Sequence, residues 1–182
     1  MLLILGGVKP LFIPIVWKLV VPPKIHVFLW LFPHNKLLTR DNLRKRHIIK
    51  PLDYVSCAEN ETSFRLLFEC VVATNIWPFI EDFFQIQIGA NFESVARFWV
   101  TSKKNSALNT ISTVVLWCLW KYRNSIIFNN TIWTSMTQVW SLLIRMLKVR
   151  FVLSPEAERA KLESFLSSLT SFSRQPLRIR SG

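Results

Sequence analysis

The sequence predicts a mainly α fold, and three observations carry that prediction. Apolar residues recur at three- and four-residue steps through most of the chain. Strand-type alternation never runs beyond a few residues, and proline, asparagine and serine punctuate the periodic stretches. No internal repeat accompanies the pattern.

Each helix can be justified in order. Val21-Pro22-Pro23 gives a stiff approach, and proline suits the first turn of the helix that comes next. Ile25, Phe28, Leu29 and Phe32 then fall on one helical face, which should end near Pro33. Thr39 is placed to cap a second helix with Asp41 in its first turn and Arg44, Lys45 and Arg46 at its far end, an order that complements the helix dipole. Leu38 and Leu43 should hold that helix down while Arg40, Arg44 and Lys45 face outward. Glu61 to Cys70 reads as a short helix through Leu66, Leu67 and Phe68. The spacing of Ile76, Phe79, Ile80 and Phe83 makes another, with Pro78 either in an early turn or bending it. Asn91 introduces a helix holding Val95, Phe98 and Trp99.

From about Ser106 to Phe128 the chain offers its longest unbroken helical stretch, apolar on nearly every side around 111–120, as befits the middle of a bundle. Asn129-Asn130 marks a turn, after which Trp133, Met136, Val139, Trp140, Leu143 and Leu147 keep helical spacing. A last helix should begin at Ser154-Pro155-Glu156, with serine as cap and proline in the first helical position.

At 182 residues, 51% hydrophobic and with mean hydropathy +0.28, the chain has ample material for one well-buried core. Its net charge of +12 is unevenly spread, at +8 over residues 1–50, −5 over 51–100 and +9 over 101–182. Two basic ends around an acidic middle suit a polyanion bound through phosphate neutralisation; they equally suit a solvated basic surface that counters the apolar content. Three cysteines, Cys57, Cys70 and Cys118, are too few and scattered for a disulfide framework and favour a reducing compartment, nucleus or cytoplasm rather than a secreted setting. The start of the chain resembles an anchor in composition. However, Lys9, Pro10, Pro14 and Lys18 interrupt it short of the ~20 apolar residues a span requires, so residues 1–16 read as a packing or junction segment. The final SFSRQPLRIRSG reads as a loose basic tail over 171–182.

The run WKLVVPPKIHVFLWLFPHNKLLTRDNLRKR, followed by CAENETSFRLLFEC and Ile76-Trp77, resembles the zinc-binding domain that follows reverse transcriptase in plant LINE-type non-LTR retrotransposons. Trp17, Pro22, Pro23, His34, Thr39, Cys57, Glu61, Phe68, Cys70 and Trp77 are among the positions that carry it. Downstream, LWCLWKYRNSIIF resembles the Trp-x-x-Trp-x-x-Arg-Asn-x-x-x-Phe segment of the same polyproteins, through Trp117, Trp120, Arg123, Asn124 and Phe128. The resemblance implies a small degenerate zinc-knuckle-like helical module over 17–88, and the periodicity beyond it reads as a helical extension, a bundle, over 89–170. It also implies four metal ligands, at the positions occupied here by Tyr54, Cys57, Arg65 and Cys70. Only Cys57 and Cys70 are ligand types; arginine stays protonated and tyrosine is a poor substitute for thiolate. Either the two cysteines are small buried side chains and no cofactor is held, or a residual zinc site survives.

No catalytic set can be assembled. A Tyr-x-Asp-Asp signature is missing, Glu81-Asp82 is the lone adjacent acidic pair, and four glycines supply no phosphate loop. Trp117 and Trp120 admit core packing or base stacking. Arg123 and Asn124 admit a phosphate, a helix cap or a partner carboxylate, and His26 reads as structural. The expected function is therefore a non-catalytic polyprotein fragment that binds RNA or DNA without sequence preference through Arg40, Arg44, Lys45 and Arg46. It would have no small-molecule substrate. The alternative is a decayed or purely structural helical protein, and membrane association through residues 1–21 is a third, weaker reading.

Overall fold

The computed structural model describes residues 12–48, 61–101, 104–129 and 131–174. Among them every regular element is helical, as the periodicity predicts. Eight α-helices occur in chain order: α1 Ile13–Val16, α2 Pro23–Leu31, α3 Arg40–Lys45, α4 Val71–Phe84, α5 Phe92–Ala96, α6 Ser106–Asn129, α7 Met136–Leu153 and α8 Glu156–Ser173. A π-helical turn, Arg65–Glu69, precedes α4, and a 3₁₀ turn, Trp99–Thr101, comes after α5.

Helix α6 is the axis of the molecule. Nearly its whole first half is buried, and it packs against α2, the π turn, α4, α7 and α8. Two of the polar groups this brings inside are satisfied locally, Ser112 and Thr113 donating their hydroxyls to the Asn109 carbonyl at 3.2 and 2.8 Å, whereas the buried Asn109 side-chain amide has no hydrogen-bond partner among the described residues. Helices α7 and α8 form a hairpin over α6. Val139, Leu143 and Leu147 of α7 and Leu162, Phe165 and Leu169 of α8 face inward at helical spacing. Rings from α4 complete this layer: Phe79 meets Phe165 edge-on at 5.5 Å, and Phe83 meets it at 5.1 Å and 89°. One contiguous apolar core thus runs from Val16 to Leu169.

Helix α2 begins with Pro23 at its first position and gives up Ile25, Phe28 and Leu29 to the core, with Phe32 as its C-cap. Phe28 lies against both Trp117, at 5.4 Å, and Trp120, at 5.9 Å and 26°. The two tryptophans of α6 therefore serve packing, and His26 is structural through its Nε2 and the Leu19 carbonyl, 2.9 Å apart.

Several local expectations need correction. Leu37 is the buried leucine before α3, whereas Leu38 is 39% exposed, because the chain turns through Asn35 in the left-handed region and is pinned by Asn42, which donates to the Asn35 and Leu37 carbonyls at 2.8 Å each. The short helix expected from Glu61 to Cys70 is present through Leu66, Leu67 and Phe68, but over Arg65–Glu69 it is π-helical, with the Cys70 N–H reaching the Arg65 carbonyl at 2.7 Å. Pro78 is not in an early turn; it sits in the interior of α4. Trp99 lies beyond α5, which ends at Ala96. Trp133 precedes α7 and instead meets Tyr122 edge-on at 5.7 Å. At the α7–α8 corner, Ser154 closes α7 by donating its hydroxyl to the Arg150 carbonyl at 2.8 Å, and Pro155 takes the N-cap of α8. Helix α8 continues to Ser173, so the first residues of the expected tail are helical, and 175–182 lie outside the described residues.

Candidate functional site

Two neighbouring features come from the stretch that carries the family resemblance: the basic helix α3 and the turn that holds Cys70. Helix α3 is six residues long, and its first N–H groups need acceptors. Thr39 occupies the N-cap position but does not accept from them. Its hydroxyl donates instead to the Asp41 carboxylate at 2.5 Å. The acceptor is Glu61, whose carboxylate takes the Arg40 N–H at 3.0 Å and whose carbonyl takes the Asp41 N–H at 3.4 Å.

The same Glu61 carboxylate meets Arg123 of α6. The guanidinium donates Nε to Oε2 at 3.1 Å and Nη2 to Oε1 at 2.5 Å, and Nη1 goes to the Asn124 side-chain oxygen at 3.0 Å. Both side chains are almost fully enclosed, at 3% and 7% exposure. Of the three partners the sequence admits for Arg123, the carboxylate is the one it has. Such a bidentate pair can hold two ionised groups inside a core because each fills the other's hydrogen-bonding capacity.

Of the four basic residues expected to meet a polyanion, Arg44, Lys45 and Arg46 are exposed at the C-terminal end of α3, next to an exposed His47. Arg40 is not outward-facing; it is half-buried because its position falls at the foot of the helix beside Glu61. Lys45 pairs with Asp41 one turn back at 3.5 Å, an exposed contact of small energetic weight.

Cys70 terminates the π turn and caps α4. Its backbone is extended, its sulfur accepts the Ala73 N–H at 3.4 Å, and it donates to the Leu66 carbonyl at 3.1 Å. The next carbonyl, Leu67, accepts the Trp77 indole N–H at 2.9 Å. The π turn thus frees two carbonyls, and the Cys70 and Trp77 side chains satisfy them. Phe68 stacks on Trp77 at 5.9 Å and 17°, which fixes the turn against the core.

Of the four positions the resemblance assigns to metal, Tyr54 and Cys57 lie outside the described residues. Arg65 points to solvent near Glu69, at 3.7 Å, and cannot coordinate. Among the described residues no three His, Cys, Asp or Glu side chains converge. His34 and His47 are both exposed, and His34 lies against Trp30 at 4.8 Å. A sulfur 3.1 Å from a carbonyl oxygen also needs a proton between them, which a metal-bound thiolate lacks. The donor set of two cysteines, a tyrosine and an arginine does not fit a closed tetrahedral zinc site.

Residues 6–77 match the family model described as zinc-binding in reverse transcriptase. That stretch, less than half of the chain, is similar to the reverse transcriptase zinc-binding domain. The match ends at Trp77, the residue that closes the π turn, so the helices from α5 onward lie beyond the matched stretch. No curated protein and no solved structure matches the chain. Among the described residues no helix is long and apolar enough to cross a membrane.

The Glu61–Arg123 pair is not legible in the sequence, although both residues stand out there. Each belongs to a different family-like segment, and nothing in linear spacing joins positions 62 residues apart.

Proposed function

We propose that the chain is a non-catalytic fragment derived from a retrotransposon polyprotein, and that it associates with RNA or DNA without sequence preference. The observation that carries this reading is the exposed Arg44–Lys45–Arg46 run at the end of α3, held in place from behind by buried Leu43, Asn42 and Glu61. Adjacent cations on a short, anchored helix end suit phosphate oxygens spaced along a flexible strand, and the affinity comes from counterion release rather than base reading. The matched family agrees with such a partner, as does the +12 net charge.

A purely structural role is the second reading. It is favoured by the placement of the residues whose types best suit a ligand, since Trp117, Trp120 and Arg123 are all taken up in packing or a buried ion pair. Replacing Arg44, Lys45 and Arg46 with Gln separates the two. Fluorescence anisotropy with a labelled oligouridylate or a random single-stranded DNA should show affinity at low salt falling roughly tenfold or more, and the salt slope flattening by about 0.7 for each phosphate no longer neutralised. Unchanged affinity and slope would leave the structural reading.

A further inference from the structure

The stretch matched by the zinc-binding family model lacks a donor set that fits a closed zinc site, yet among its described residues the π turn and the helices are in place. We propose that this stretch is held closed by the buried Glu61–Arg123 ion pair to helix α6 in place of a metal, and that Cys70 serves it as a helix cap rather than as a ligand. A structural zinc stabilises a small module by tying side chains from separate stretches of chain to one point. Glu61 makes a junction of that kind. Its one carboxylate receives the first N–H of α3 and two donors of Arg123, joining the basic helix, the approach to the π turn and the central helix. Asn124 takes a further guanidinium hydrogen and completes the pair.

At the far end of the π turn, Cys70 makes both halves of a cap with one atom: its thiol proton goes to Leu66 and its lone pair receives Ala73. Serine has the same donor and acceptor capacity and is a preferred N-cap. The cap role therefore predicts a substitution pattern opposite to that of a ligand.

The experiment uses the full chain, expressed with added zinc and purified without a histidine tag. Zinc is measured by mass spectrometry, and Tm by circular dichroism before and after dialysis against a chelator. Expected are substoichiometric zinc and a Tm unmoved by chelation. Cys70→Ser should stay within about 2 °C of the parent, while Cys70→Ala should fall by roughly 3 °C. Near-stoichiometric zinc whose removal lowers Tm, with Cys70→Ser and Cys70→Ala losing it alike, would overturn the proposal.

A double-mutant cycle tests the pair. Glu61→Gln and Arg123→Met should each lower Tm by roughly 10 °C by stranding a buried charge or its hydrogen-bonding groups, and the double variant should lose far less than the two drops added together. Additive losses would show that the two residues do not act as a unit and would also sink the idea. If a single variant fails to fold, the chelation and Cys70→Ser measurements still decide. None of these readouts depends on nucleic-acid binding, so failure here and failure of the proposed function are separately visible.

Discussion

Gly89 shows how a single residue ties the stretch matched by the family model to the helices beyond it. Its backbone sits at φ +86°, and a Cβ built there would fall 2.3 Å from the Trp77 ring. Only a residue without a side chain lets the chain pass over the indole that closes the π turn, and its N–H is then fixed by the Ser94 hydroxyl at 3.1 Å. Gly89→Ala is expected to destabilise the protein by roughly 2–4 kcal/mol, combining left-handed strain with displacement of Trp77. Urea denaturation monitored by tryptophan fluorescence should show the midpoint drop. A midpoint equal to the parent's would mean that the indole does not pack under Gly89. The sequence marks position 89 as turn-forming by its glycine and the nearby Asn91, but the ring it must clear lies about twelve residues upstream and is brought there by the fold.

At the scale of the element, helix α4 carries an avoidable cost. Pro78 is exposed in its interior and offers no N–H to the Thr74 carbonyl one turn before. The helix persists because Val72, Ala73, Ile76, Trp77 and Ile80 bury a continuous face, and packing outweighs propensity. Pro78→Ala should therefore raise stability by about 1–2 kcal/mol, the restored backbone bond exceeding the added freedom of the unfolded chain. A higher denaturation midpoint with an unchanged slope is the expected result; a lower midpoint would show that the proline shapes the face that packs. The caps illustrate how far local rules reach. Asn91 caps α5 with a reciprocal Ser94 partner, as its position before an apolar run suggests. Thr39 and Ser154 have the same chemistry, yet each spends its hydroxyl elsewhere. Thr39 leaves the start of α3 to Glu61, and Ser154 is turned toward the end of the preceding helix.

For the molecule as a whole, the closed core makes its fully buried thiol sensitive to alkaline conditions. Burial pushes Cys118 up from 9.0 to about 12, and Lys121 and Arg145 only partly offset the push. The unfolded chain loses this proton near pH 9 while the folded chain keeps it, so the contribution is fully present below pH 9 and is lost as pH rises toward 12. Between these limits the parent should lose stability faster with pH than Cys118→Ala, in denaturant midpoints taken at about pH 8, 9.5 and 10.5. Parallel pH profiles for the two proteins would contradict a buried neutral thiol. The same enclosure should keep Cys118 unreactive toward a thiol reagent until the protein unfolds.

Residue order alone settles the helical class, the place of most of the longer helices and the central position of α6. All of these come from periodicity and from a stretch too apolar to lie on a surface. The family resemblance is settled in the same way, because it rests on residue types in order. Three-dimensional packing was needed to choose among the chemically equivalent roles open to each polar residue. Arg123 found a carboxylate, Arg40 went under cover while Arg44, Lys45 and Arg46 stayed out, and Cys70 capped a helix. Periodicity reports which face of a helix is buried, but a hydrogen bond or ion pair depends on distances between helices, and these exist only once the core has closed.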